Sequence, residues 1–212
     1  LWGRDHVALG PVDALGVEPG GPAINLYLSG AIDWVDGGVP PDLVPALLPR
    51  EDFYTFPYLG VYFYRFNVTR PPFDDVWVRR ALKYATDREA IANDLLKRSR
   101  DRWGNMTPSG YPGYERPPGL RYDPEKAREC LARAGYPGGK GFRKISILFN
   151  TSEDHRRIAE AMQAMWKREL HIDVELSNQE WGSYLKATTG LQYDVARRSW
   201  IGDYMDPNTF LA

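Results

Sequence analysis

Cysteine is nearly absent from this sequence, and what is missing excludes several classes of protein. Cys130 is the single cysteine among 212 residues, so no disulfide can form within the chain. The formal net charge is −1, which argues against a basic nucleic-acid-binding surface, and we predict no nucleic-acid partner. No apolar run approaches the ~20 residues of a membrane-spanning helix. With 43% hydrophobic and 26% charged residues, the composition is that of a globular protein.

Motifs for catalysis and for cofactor binding are also missing. The sequence has no glycine-rich phosphate loop, no GxSxG elbow, no HExxH pair and no Cys/His cluster with zinc spacing. Cys130 is predicted to lie within a helix, beside nothing that would lower the pKa of its thiol. Asp203 and Asp206 could form a glycosidase pair, but nothing gives them the two different environments that such a pair requires. We therefore predict no catalytic residue, no metal site and no cofactor.

Helix and strand patterns alternate along most of the chain. A strand over 145–149, a helix after it and a strand over 172–176 are joined by short connections, which indicates a parallel crossover and the α/β class. Thr86 and Glu89 have the spacing of a capping box at the start of another helix. Helices are further predicted over 23–28, over 40–48, from residue 74 or 75, after residue 123 and over 181–187, and strands over 31–35, over 58–67 and from residue 193.

The strand predicted over 58–67 carries a charge that needs an explanation. Its aromatic side chains fall on both faces, which is typical of a central strand covered on both sides. Arg65 lies within this strand, and an unpaired buried charge is expensive. An ion pair within the chain, a ligand carboxylate and a route to solvent each satisfy that requirement.

His155 lies in the first turn of the helix that follows the 145–149 strand. That position is the edge where open α/β sheets bind ligands. A histidine beside helix N-terminal amides would accept an anion. A histidine that is simply exposed in the first turn fits the same spacing.

The stretch from residue 193 to residue 211 begins as a strand and ends as an acidic, aromatic loop. Asp203 and Asp206 lie there among Trp200, Tyr204 and Phe210. Carboxylates among aromatic rings at the end of a strand suit recognition of a positively charged group. An acidic surface loop in which Asp206 starts a turn is the alternative.

Five segments of the chain, taken in order, resemble the oligopeptide-binding receptors of bacterial ABC importers. These receptors belong to family 5 of the extracellular solute-binding proteins, which also holds dipeptide, murein-peptide, opine and nickel receptors. The resemblance runs from about residue 23 to residue 212. The segments are AINLYLSGAIDWV, PPFDDVWVRRALKYATDREAI, YDPEKARECLARAGYP, ILFNTSEDHRRIAEAMQAMWKRELHIDVELSNQEWGSYL and YDVARRSWIGDYMDPNTFL.

This resemblance implies a fold and a location. The fold would be a type II periplasmic-binding-protein-like lobe, in which helices flank a mixed, mostly parallel sheet. Residues 1–59 would be the end of a discontinuous first-lobe segment, and residues 60–212 most of the second lobe, which closes on the ligand. Both ends of the sequence look like cuts, and the rest of a receptor of about twice this length is expected outside it. Proteins of the family are exported and are either periplasmic or tethered by lipid.

The resemblance also implies a peptide ligand, a membrane permease partner and a set of site residues. Asp203 matches the aspartate that receives the α-ammonium group of the peptide. Trp200 and Arg197 match residues that line the ligand cleft. His155 matches a residue that meets the C-terminal carboxylate of peptides of one length. A peptide backbone held by strand-like hydrogen bonds would make affinity independent of sequence.

The sequence departs from the oligopeptide receptors at several positions. Those receptors carry an acid where this chain has Arg65 and an arginine where it has Thr188. Some also carry a disulfide at the positions of Gly60 and Ile201. We therefore hypothesise that Arg65 takes the peptide carboxylate or another ligand anion.

Four functions remain open in the order in which the sequence favours them. The first is a peptide-binding receptor without catalysis, and the second is a receptor of the same fold for an opine, a sugar conjugate or chelated nickel. A hydrolase is third, and formation of product from a bound peptide would favour it. A structural or interaction module is fourth, and failure to find any ligand for the intact protein would favour that function.

Overall fold

The computed structural model describes residues 6, 8–17, 20–36, 38–56, 58–97, 105–108, 110–115 and 117–211. The chain divides into two compact units, Leu1–Phe53 and Tyr54–Ala212. The first unit contains helix α1 (Gly20–Leu28), a 3-10 turn (Pro41–Leu43) and helix α2 (Val44–Leu47). The predicted helices over 23–28 and 40–48 are confirmed. The strand predicted over 31–35 is wrong, because the chain bends there and pairs with no strand of the described ranges.

The second unit alternates strands with helices. The predicted helices and strands of this unit are present, with ends that differ from the predictions by a few residues. In chain order its elements are β1 (Gly60–Phe66), α3 (Val76–Tyr84), α4 (Arg88–Ala90) with a π-helical turn (Ile91–Leu95), α5 (Pro124–Arg133), a 3-10 turn (Pro137–Gly139), β2 (Ile145–Asn150), α6 (Glu153–Leu170), β3 (Val174–Gln179), α7 (Trp181–Thr189), β4 (Val195–Ile201) and α8 (Asn208–Leu211).

The strands form one four-stranded sheet in the order β1-β4-β2-β3. Strand β2 is parallel to both β3 and β4, whereas β1 is antiparallel to β4. This mixed, mostly parallel sheet confirms the predicted α/β class. The central position predicted for β1 is wrong among the described strands, since β1 lies at the edge of the sheet and all seven of its residues are partly buried.

Two hydrophobic clusters cover the two faces of the sheet. Alternate residues of a strand point to opposite faces, and Ile147 and Leu148 of β2 accordingly belong to different clusters. The larger cluster joins this sheet to α3, α5 and α6, and we call its side the α6 face. The smaller cluster includes Tyr184 and Ala187 of α7, and we call its side the α7 face.

The helix after residue 86 is capped by Asp87 rather than by the predicted Thr86. The Asp87 carboxylate accepts a hydrogen bond from the backbone N–H of Ala90 at 3.0 Å. The buried Thr86 hydroxyl instead donates to the carbonyl of Leu82 at 2.8 Å and accepts from the indole N–H of Trp166 at 3.0 Å. Thr86 thus ties α3 to α6, because a buried hydroxyl needs partners as much as a helix end does.

An ion pair between the exposed Arg143 and the buried Asp194 fastens the start of β4 beside β2. Asp194 accepts hydrogen bonds from the Arg143 guanidinium at 2.6 and 2.9 Å and from the backbone N–H of Ser146 at 3.0 Å. Burial acts to raise the pKa of the Asp194 carboxyl, but the bonds from Arg143 and Ser146 outweigh it and lower that pKa. The charges at this end of the strand therefore compensate each other within the chain.

Candidate ligand-binding site

Arg197 and His155 lie on the α6 face, and both contact Tyr62 of β1. The guanidinium carbon of Arg197 is 4.9 Å from the centroid of the Tyr62 ring. The Tyr62 hydroxyl is 3.4 Å from Nδ1 of His155, and the centroids of the two rings are 5.5 Å apart. Sequence reasoning missed Tyr62, although the alternation along β1 places it on the same face as Tyr64, which pairs with Arg197. The structure thus brings two of the predicted site residues together.

Neutral groups orient the Arg197 side chain. Its guanidinium donates to Oδ1 of Asn150, the last residue of β2, at 3.1 Å and to the Ser199 hydroxyl at 3.0 Å. Its Nε is buried and has no hydrogen-bond partner among the residues that the structure describes. No carboxylate of the described chain forms an ion pair with Arg197, so its positive charge is held in place without being neutralised.

His155 is buried with 9% of its surface exposed, which rules out the alternative of an exposed histidine in the first turn of α6. Helix α6 begins at Glu153, directly after the C-terminal end of β2 at Asn150. The imidazole therefore lies at the predicted edge of the sheet. Because Tyr62 packs against it, its position is set by both β1 and α6.

Arg65 lies on the opposite face of the sheet from Arg197. It pairs with Ala196, a member of the α7-face cluster, and its guanidinium carbon is 5.1 Å from the centroid of the Tyr193 ring. Its Nε is buried without a hydrogen-bond partner in the described ranges. The ion pair that would explain Arg65 within the chain is not found among the described residues, and Arg65 is partly exposed.

Trp200 lies on the α7 face as well. It pairs with Val61 near the end of β4, and 41% of its surface is exposed. Ile201 and Tyr204, which follow it, are exposed to 56% and 51%. Large exposed apolar side chains in sequence indicate a contact surface rather than a solvated loop.

Asp203 lies in the loop that follows β4. It is exposed, and only its backbone N–H is hydrogen-bonded, to the Thr209 hydroxyl at 3.1 Å. Within the described ranges its carboxylate has neither a hydrogen-bond donor nor an ion-pair partner. The carboxylate is thus available to a cationic group from outside this part of the chain.

Asp206 has a different role from Asp203. Its carboxylate accepts a hydrogen bond from the backbone N–H of Asn208 at 2.8 Å at the start of α8, so the turn predicted there is confirmed. Gly202 lets this loop pass close to β1, because a Cβ at that position would lie 2.8 Å from Cδ2 of Leu59. Of the two carboxylates, that of Asp206 stabilises the turn, whereas that of Asp203 has no hydrogen bond or ion pair within the described chain.

A groove of about 410 Å³ runs along β1 but avoids most of the predicted site. It contacts every residue from Val61 to Phe66, together with residues of α3 and α6. Of the predicted site residues, only Arg65 lines it. Arg197, His155 and Asp203 do not line this groove.

The described ranges contain neither a membrane-spanning helix nor a cluster of metal ligands. No helix in them is long and apolar enough to cross a bilayer, and no group of three or more His, Cys, Asp or Glu side chains in them is placed to hold a metal. Burial raises the pKa of the Cys130 thiol, and Cys130 lies within α5 as predicted.

Residues 2–212 match the family model of the bacterial extracellular solute-binding proteins, family 5. The chain belongs to that family. Its relatives include the periplasmic murein peptide-binding protein MppA of Escherichia coli, 35% identical over 99% of this chain, and the oligopeptide-binding protein OppA of Bacillus subtilis, 30% identical over 99%. A third is the probable deoxycholate-binding periplasmic protein YgiS of Escherichia coli, 32% identical over 97%. The chain spans about 40% of the length of these relatives.

Solved structures of the family share this fold. A periplasmic oligopeptide-binding protein of Borrelia burgdorferi superposes with a TM-score of 0.82 at 38% identity, covering 92% of this chain and 39% of that one. OppA of Haemophilus influenzae in complex with the peptide RPPGFSPFR gives 0.78 at 33% identity, covering 92% and 40%. The fold is therefore that of a type II periplasmic-binding-protein lobe, as expected. The division at residue 59 and the roles of the five site residues stay predictions.

Proposed function

We propose that the full-length protein captures oligopeptides outside the cytoplasmic membrane and delivers them to the permease of an ABC importer. Relatives that bind oligopeptides and murein peptides, and a solved relative in complex with a peptide, support this function. The family consists of solute-binding proteins, which supports capture without catalysis. Periplasmic relatives support an exported protein, either free in the periplasm or lipid-anchored.

The observation that carries the proposal is the pair of opposite, uncompensated charges beside the C-terminal ends of the parallel strands. Asp203 follows β4 with its carboxylate unpaired in the described chain, and Arg197 has only neutral partners there. A peptide carries an ammonium group at one end and a carboxylate at the other. Asp203 would receive the ammonium group, and Arg197 with His155 would receive the carboxylate, whereas Trp200 would pack on the ligand.

Closure of two lobes around the ligand would strengthen the ion pairs that these charges form with it. An ion pair at a surface contributes little because water screens it. A charged pair that is enclosed on ligand binding is worth much more, and removing one member typically costs ~2–5 kcal/mol. The exposure of Asp203 and Trp200 in this part of the receptor fits residues that the other lobe would cover on closure.

Calorimetric titration of the full-length protein with one peptide in free, N-acetylated and C-amidated forms tests the proposal. Each modification removes one terminal charge, so each is expected to weaken binding at least ~10-fold. In Arg197→Gln the difference between the free and amidated peptides should become smaller, because one of the two proposed partners of the carboxylate is gone. Equal affinities for all three forms in the wild-type protein would contradict recognition of peptide termini.

A receptor for a non-peptide solute is the second candidate. The similarity to a probable deoxycholate-binding protein favours it, since that ligand is an anion without an ammonium group. Such a ligand would use Arg197 or Arg65 and leave Asp203 unpaired. Mass spectrometry of whatever co-purifies with the full-length protein would separate the two candidates.

A further inference from the structure

Two arginines lie side by side on the α7 face of the β1–β4 ladder. Arg65 pairs with Ala196, and Phe63 pairs with Arg198. Arg65 and Arg198 are therefore diagonal neighbours on one face, a separation that long side chains can bridge. Both are partly buried.

Neither arginine is neutralised within the described chain. Arg198 has no hydrogen bond, ion pair or ring contact to any described residue, and Arg65 has only the Tyr193 ring and a buried, unbonded Nε. Asp194, which precedes the strand beside Tyr193, binds Arg143 and so does not neutralise them. Two adjacent, partly buried cations repel each other, and an anion placed between them removes that cost.

This cationic pair is separate from the one proposed for the peptide carboxylate. Arg197 projects from β4 to the α6 face, whereas Arg198 projects to the α7 face, with the sheet backbone between them. A single carboxylate that contacts Arg197 and His155 is therefore out of reach of Arg65 and Arg198. A ligand that satisfies both faces carries a second negative group.

We propose that the preferred ligands are peptides with an acidic side chain, Asp or Glu, and that Arg65 and Arg198 bind its carboxylate. This inference rests on the proposed function. Phe63 and Trp200 flank Arg198 on the same face and would pack against the methylene groups of that side chain. Peptide-terminus recognition gives affinity for any peptide, and the second anion site adds a preference among them.

Matched pairs of tri- to pentapeptides that differ only by Glu or Gln at one internal position provide the test. Full-length wild-type protein, Arg65→Gln, Arg198→Gln and the control Arg121→Gln are titrated with each pair. Arg121 is an exposed arginine in the loop before α5, so its replacement changes the net charge equally. In the wild type and the control, a Glu peptide should bind at least ~10-fold more tightly than its Gln partner.

In Arg65→Gln and Arg198→Gln the preference should fall to less than about threefold while the Gln peptides keep their wild-type affinity. Wild-type protein that binds Glu and Gln peptides alike overturns the inference and leaves the proposed function standing. If no peptide of either series binds, the proposed function fails and the inference fails with it. A folded Arg65→Gln or Arg198→Gln protein that keeps the full preference for Glu overturns the assignment of the carboxylate to these arginines, and the wild-type comparison still tests the preference itself where a variant does not fold.

Discussion

Replacing Asp203 with asparagine removes one negative charge and almost no volume. The carboxylate has no partner in the described chain, so the substitution breaks no internal bond and should leave the stability of the fold unchanged. All of its effect should then appear in ligand binding. Loss of one member of an enclosed charge pair costs ~2–5 kcal/mol, which corresponds to a loss of peptide affinity of at least ~30-fold.

Asp206→Asn is the matched control, because it removes the same charge three positions along the loop. An asparagine side chain can still accept the bond that Asn208 donates, so the turn before α8 is kept. Asp206→Asn should therefore bind peptide within about threefold of the wild type. Isothermal titration of the full-length proteins with one peptide and its N-acetylated form measures both effects.

The N-acetylated peptide shows whether Asp203 contacts the peptide ammonium group directly or acts only through the net charge of the protein. In the wild-type protein, acetylation should weaken binding about as much as Asp203→Asn does, because either change removes the ion pair between Asp203 and the peptide ammonium group. In Asp203→Asn, acetylation should have little further effect. Wild-type affinity in Asp203→Asn, or an equal loss in Asp206→Asn, would refute the assignment of Asp203 to the ammonium group.

Three further predictions concern residues that stabilise the fold around the proposed site. Asp194→Asn should lower the free energy of unfolding by about 1.5–3 kcal/mol at pH 7. In urea unfolding that difference should begin to shrink as the pH falls through about 3.9, the pKa of the unfolded carboxyl, and should vanish only below the lowered pKa of Asp194 in the folded protein. Gly202→Ala should cost ~1–3 kcal/mol through the clash with Leu59 and should also weaken peptide binding, seen by thermal melting and titration. Trp166→Phe should cost ~1–3 kcal/mol through loss of its buried indole hydrogen bonds and leave peptide affinity unchanged.

Alternation along the strands could be predicted from the sequence, and it placed the site residues on the right faces. Arg197 shares a face with Val195, and both lie on the α6 side. The parallel crossover from β2 through α6 to β3 was also predictable, since short connections leave few other topologies. These features depend on residues that are near in sequence or on connection lengths.

Pairing between distant strands could not be predicted, and the contacts of the site depend on it. Tyr62 meets His155 and Arg197 because β1 pairs with β4 in one register, and a shift of one residue would turn Tyr62 to the other face. The edge position of β1 was missed for the same reason: aromatic residues on both faces reflect burial, not the number of neighbouring strands. The Thr86 cap was missed because Trp166, which binds its hydroxyl, lies 80 residues away.

Charge compensation separates the residues that hold the fold from those proposed to hold the ligand. Asp194 and Arg143 form a bidentate pair with a further backbone donor, and the chain completes it by itself. Asp203 and Arg65 have no counter-charge in the described chain, although an unpaired, partly buried guanidinium costs stability. A fold that needed only stability would replace such an arginine with an apolar residue, and the proposed ligand anion would supply the missing counter-charge on the α7 face.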